Sequence, residues 1–235
     1  MEVHKPASST LIAWVLANLF GAILSVFSFG LINDTLAGLI LAGLILVSGS
    51  SIFFYALYPI EFAVLGFIMG ATQWIVIKRH LPEPGHWIKK TLLGYLLASI
   101  IFMVADILTT GLGQGKMHHA IIYLSYLICF TLMGTIIGTA QWTLLRPYYR
   151  QAKLWVPVSV VGFLVFFWSL LLPMVVEPEY SIWYWYPLSV LGQLLVAIIT
   201  GVTLVFLIRR PVDTNVPSPV ETSAGGRGDR ARLEH

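Results

Sequence analysis

The sequence predicts an all-α integral membrane protein with six transmembrane helices arranged as three pseudo-repeated two-helix hairpins. Three observations carry that prediction. First, 57% of the 235 residues are hydrophobic and only 11% are charged, whereas a soluble domain carries roughly 25% charged residues. Second, six apolar runs reach the length of about 20 residues that a bilayer crossing needs. Third, the runs repeat one another in small, polar and aromatic positions.

The six runs cover about 11–32, 53–77, 88–109, 120–145, 155–176 and 187–208. The first is too long for the 7–15-residue apolar core of a cleaved signal peptide, so it reads as a retained helix behind a short segment, 1–10. Turn-rich stretches separate several of the others, as at His80-Leu81-Pro82-Glu83-Pro84-Gly85 and Gly111-Leu112-Gly113-Gln114-Gly115. A further apolar run, 36–47, is too short to span and reads as a re-entrant or interfacial segment on the outer side. From 211 to 235 the chain turns polar and rich in proline and glycine, the composition of a disordered tail. Its closing Leu233-Glu234-His235 has the form of a remnant leading into a histidine tag.

Charge sets the orientation. With six spans, 13 of the 14 Lys and Arg residues fall on one side and only Lys116 on the other. By the positive-inside rule both termini are expected in the cytoplasm. No basic patch interleaved with aromatics lies on a soluble face, which argues against a nucleic-acid partner. The single cysteine, Cys129, sits in an apolar run, so no disulfide framework exists.

The repeat is plainest in the returning helices. Gly66-x-x-x-Gly70-x-x-Gln73-Trp74 recurs as Gly134-x-x-x-Gly138-x-x-Gln141-Trp142. The third copy keeps Gly201, Thr203 and Arg209, but has Ala197 at the first glycine and Leu204-Val205 for the Gln-Trp pair. The outgoing helices begin at Trp14, Trp87 and Trp155, each followed seven residues later by Gly21, Gly94 or Gly162. The hairpins therefore run over about 11–80, 87–150 and 155–210, within one transmembrane domain spanning 11–210.

Each motif residue has a physical role at this spacing. Small residues four apart (Gly66, Gly70, Gly134, Gly138, with Gly201) let helix backbones approach closely, which supplies packing in lipid. Gln73 and Gln141 are expected to hydrogen-bond across that contact, or to line a central cavity near its cytoplasmic mouth. Trp14, Trp74, Trp87, Trp142 and Trp155 are expected as interfacial anchors, close to the basic ends where indoles favour the headgroup belt.

This pattern resembles a group of uncharacterised bacterial polytopic membrane proteins built from repeated G-x-x-x-G-x-x-Q-W-x-x-[LI]-[KR] helices. The resemblance implies a multi-pass fold in the bacterial plasma membrane and no particular activity. Two-helix repeats around a threefold axis are also the plan of mitochondrial carriers. Their proline-acid-basic signature is absent here, so that likeness is architectural.

Ionisable groups inside spans are functional candidates. Glu61 and Asp106 lie about 25 Å and 28 Å from the basic edge by helical rise, with Lys116, His118, His119 and Asp34 in the adjoining loops. They form either an outward-facing acidic vestibule for a cation, a proton or an amine, or two acids at the outer headgroup level that are solvated or paired with Lys116. Adjacent histidines point about 100° apart rather than to one metal, and no cofactor is expected. The run Ile182-Trp183-Tyr184-Trp185-Tyr186 reads as a headgroup anchor, and Asn18 and Gln193 as interhelical hydrogen bonders.

The sequence carries no nucleophile elbow, phosphate loop or ligand-spaced histidine pair, so an enzyme is the least favoured of three functions. A small transporter or channel-like protein is preferred, resting on the repeat and on Glu61. A non-catalytic assembly or scaffolding subunit is the alternative, with other membrane proteins or further copies of the chain as partners beside the lipid.

The orientation is tested by single cysteines placed at Arg79 and Arg150 in a Cys129→Ser background. Both should resist a membrane-impermeant maleimide in intact cells and react after lysis. Labelling in intact cells would invert the topology.

Overall fold

The computed structural model describes residues 7–31, 52–81, 84–110, 116–176 and 182–212. Among them are six α-helices: α1 (Ala7–Leu31), α2 (Ile52–Ile77), α3 (His86–Thr110), α4 (Lys116–Leu145), α5 (Trp155–Val176) and α6 (Ile182–Ile208). Each contains a stretch long and apolar enough to cross a membrane. The run 36–47, Asp34, the tail beyond Val212, and the side chains of Lys116, His118, His119 and 182–186 lie outside the described residues.

Every helix packs antiparallel against its neighbours in sequence, and α6 returns to α1, so the six close into a ring. Closure gives each helix two protein-facing sides and leaves the remainder to lipid. Phe20, Phe27, Phe67, Leu108, Leu124 and Trp168 are among the large side chains that point outward. Hydroxyls in this environment have no water to bond. Ser25, Thr72, Thr131, Ser159 and Thr200 each donate to a carbonyl one turn back on their own helix, at 2.7–3.0 Å.

Two kinds of glycine contact alternate around the ring. A Cβ added at Gly70 would stand 3.2 Å from Ile88 Cα, and one at Gly66 2.7 Å from Tyr95 Cβ, which draws α2 against α3. Gly134 and Gly138 do the same between α4 and α5, at 2.7 Å from Val160 Cα and 2.8 Å from Ser159 Cβ. Gly201 brings α6 onto Leu11 and Trp14 of α1, at 2.8 Å from each. The other three contacts place Gly21 on Thr72, Gly94 on Ile137 and Gly162 on Val196. Such approaches maximise dispersion between backbones where the hydrophobic effect is absent.

The basic end is packed solid. Trp14, Trp87 and Trp155 meet Val76, Ile77, Leu81, Leu145, Tyr149, Ala152, Leu204 and Leu207 in one buried cluster. The chain leaving each returning helix is fastened here. The Tyr149 hydroxyl donates to the His80 carbonyl at 2.9 Å, and Val212 N donates to the Tyr148 carbonyl at 3.0 Å. Burial pushes the Tyr149 phenol up to about 12, so it stays a donor at neutral pH. A turn of 3-10 helix, Ala152–Leu154, leads into α5. Towards the other end, α2 to α5 share a second cluster rich in aromatics, with Phe102 and Phe130 ring centres 5.2 Å apart.

Gly134→Ala should cost about 1–3 kcal/mol through overpacking against α5, read as a lower midpoint in denaturant or heat in detergent micelles. Gly85→Ala, which meets nothing within 4 Å, should stay within about 0.5 kcal/mol of the parent.

Candidate functional site

Trp14, Trp87 and Trp155 lie in the basic-end turns of α1, α3 and α5, and their inward direction brings the indoles together on the ring axis. Trp14 and Trp87 centres are 6.4 Å apart, Trp14 and Trp155 5.9 Å, and Trp87 and Trp155 6.2 Å. All three pairs meet edge to face, at 73–81°. That arrangement directs each ring's positive edge at a neighbour's negative face, adding about 0.5–1.5 kcal/mol per pair beyond burial. Exposure of these side chains is 0%, 0% and 1%. The sequence reading gave them to the headgroup belt; the structure turns them inward and buries them against one another.

Burying an indole obliges its N–H to find an acceptor. Trp87 Nε1 donates to Gln73 Oε1 at 3.2 Å, and Trp155 Nε1 to Gln141 Oε1 at 2.9 Å. In each case the glutamine comes from the returning helix just before the tryptophan. Trp14 Nε1 donates to Thr200 Oγ1 on α6 at 3.0 Å. On α6 the acceptor is thus a hydroxyl rather than a glutamine.

The glutamines also bond across the axis. Gln141 Nε2 donates to Gln73 Oε1 and to Thr91 Oγ1, each at 3.1 Å. Gln73 Nε2 donates to Asn18 Oδ1 at 2.8 Å, and Asn18 Nδ2 to the Trp14 carbonyl at 2.9 Å. One continuous network therefore links α1 to α5, with Thr200 of α6 joined through Trp14. Asn18, Thr91 and Ser159 each stand four residues after their tryptophan and occupy matching places beside it. That tryptophan–polar spacing is present in the sequence and was not read as a signal.

Above this floor lies a cavity of about 40 Å³. All six helices contribute to its wall, among them Asn18, Gln73, Tyr95, Gln141, Ser159 and Gln193. The wall is uncharged. Glu61 and Asp106 are not among its lining residues. They lie part-buried further toward the other end, where Tyr58 donates to Asp106 Oδ2 at 3.2 Å. Both acids engage partners there. Among the described residues no three His, Cys, Asp or Glu side chains gather as metal ligands.

Trp74 and Trp142 are the half-buried pair at the basic rim, and each lies beneath a cation just past the end of its own helix. Lys78 Nζ is 4.5 Å from the Trp74 ring centre and Arg146 Cζ 5.5 Å from that of Trp142. Arg210 lies over Phe206 at 4.4 Å, giving α6 an equivalent pair one position later than the motif register suggests. Trp74 Nε1 is buried without a partner among the described residues.

Comparison of the chain with family models, with curated proteins and with solved structures gives no match.

Replacing Gln141 by Leu would leave Trp155 Nε1 without its acceptor and strip one bond each from Gln73 and Thr91. The expected loss is about 1–3 kcal/mol, read from equilibrium unfolding in micelles. Thr143→Val, which removes a hydroxyl bonded only to its own helix, should cost clearly less.

Proposed function

We propose that this multi-pass membrane protein is a small transporter whose substrate site is the central cavity. In this reading the chain is three hairpins set about the membrane normal, with the basic end in the cytoplasm. The observation that carries it is a cavity on the axis of a closed six-helix ring, with amide and hydroxyl groups among its mixed walls and the tryptophan floor at its basic end. Polar walls inside a bilayer cost free energy unless water or a ligand meets them. The equivalent contacts of Trp14, Trp87 and Trp155 support the hairpin arrangement. The packed basic end favours a transporter that opens to one side at a time over an open channel.

Alternating access also gives the glycine contacts a use. Interfaces held by small residues slide with little change in side-chain packing, and the network across the floor would have to break on opening. The closed floor then corresponds to a state sealed on the cytoplasmic side. Glu61 and Asp106, displaced from the cavity, act on this reading as outer-end structure with Tyr58.

The test is flux through proteoliposomes, followed by stopped-flow light scattering with a panel of urea, glycerol, acetamide, acetate and ammonium. At least one solute should enter faster than into protein-free vesicles. Gln193→Trp, which fills the cavity, should return that rate to the protein-free value. Rates equal to bare vesicles across the panel would overturn transport and leave the scaffolding subunit as the better reading.

A further inference from the structure

We infer that the cavity is a binding site for one small uncharged molecule carrying both a hydrogen-bond donor and an acceptor, with Tyr95 and Gln193 as its recognising groups. The inference deepens the transport reading, although binding in the cavity does not require transport.

Tyr95 is only 5% exposed, and among the described residues its hydroxyl makes no hydrogen bond to protein; it is open to the cavity rather than sealed in the core. It lines the cavity, and its ring is held edge-on to Phe163 at 6.5 Å between centres. By helical rise it stands about 12 Å beyond Trp87 along α3, deep in the span. A phenol there that bonds to no protein group is left to bond with whatever occupies the cavity, water or a small solute. Gln193 of α6 lines the same space, and its amide likewise has no partner among the described residues. Gln73 and Gln141, by contrast, are engaged with Trp87, Trp155 and each other. The polar wall therefore divides into a spoken-for floor and two available groups above it.

The ligand class follows from the chemistry of those groups. A phenol hydroxyl both donates and accepts, and a primary amide offers two donors and a carbonyl. Among the described residues no Asp, Glu, Lys, Arg or His lines the cavity. An ion entering it would lose its hydration without meeting a counter-charge, which costs far more than a neutral solute pays. Size sets the upper bound. A volume of 40 Å³ admits about three waters, or one molecule of comparable bulk. Short amides satisfy each requirement: they are neutral, planar, and carry a donor nitrogen and an acceptor oxygen on the same carbonyl carbon.

Acetamide, acetate and acetamidinium provide the test, because they share size, shape and a methyl reporter and differ in charge. Saturation-transfer NMR titrations on the full chain in nanodiscs should detect acetamide and give no transfer to either ion. Tyr95→Phe and Gln193→Leu should each weaken acetamide about three- to tenfold, as expected for one lost hydrogen bond, while Thr143→Val leaves it unchanged. Equal transfer to the ions, acetamide binding indifferent to both substitutions, or no acetamide transfer at all would overturn the inference; the last result would mean that the cavity holds water alone. Binding without flux would support the site and count against transport. Flux untouched by either substitution would support transport and count against the site.

Discussion

An indole N–H that leaves water for the interior of a membrane bundle costs free energy unless it is given an acceptor, and this chain buries three acceptor-paired indoles at one point. That single requirement organises the basic half of the molecule. The rings of Trp14, Trp87 and Trp155 occupy the axis edge to face, so the outgoing helices are held at a fixed separation. Their acceptors come from α2, α4 and α6, so each returning helix is pinned to the next outgoing one. The glycines at those same junctions make the approach short enough for the bonds to form. Packing and hydrogen bonding are thus two aspects of one contact, repeated around the ring. Remove the acceptor and the glycine contact loses its directional partner; enlarge the glycine and the acceptor moves out of reach.

The cavity is a consequence of the same geometry. Polar side chains gathered to satisfy the indoles leave amide and hydroxyl groups in a wall completed by Met69, Ile137, Phe163 and Val196, and the floor closes that space towards the basic end. Farther along the axis the aromatic cluster of Phe102, Phe130 and Phe167 narrows the bundle again. What remains between the two is small and lined, among the described residues, by uncharged polar and apolar groups alike. The free groups Tyr95 and Gln193 lie on the side of it away from the floor, where no glutamine pair absorbs them.

The helices were largely legible in the sequence. The apolar runs expected at 53–77, 120–145 and 155–176 fall within or coincide with α2, α4 and α5, because span length is set by the bilayer and written directly in hydropathy. The direction in which a side chain faces was harder to read. These helices are apolar on every side, so amphipathic periodicity cannot separate axis from lipid. Trp14, Trp87 and Trp155 lie at the basic ends where headgroup anchors also lie, and depth alone assigned them outward. Gln73 and Gln141 were singled out as groups that bond across a contact or line a cavity, and their geometry joins both roles. Tyr95 gave no signal, since a tyrosine in an apolar run resembles any core aromatic. Its importance comes from what is missing around its hydroxyl, which only three-dimensional structure reveals. Glu61 drew attention because charge is rare in a span, yet its place is outside the cavity wall.

The central claim is that paired indoles and their acceptors hold the bundle together, and double-mutant cycles on unfolding free energy test it most directly. The pairs are Trp87 with Gln73, Trp155 with Gln141, and Trp14 with Thr200, using Phe for each tryptophan, Leu for each glutamine and Val for the threonine. The account predicts coupling of about 0.6–1.7 kcal/mol in all three, the range of interhelical hydrogen bonds in membranes. Additivity within about 0.3 kcal/mol in all three pairs would contradict it.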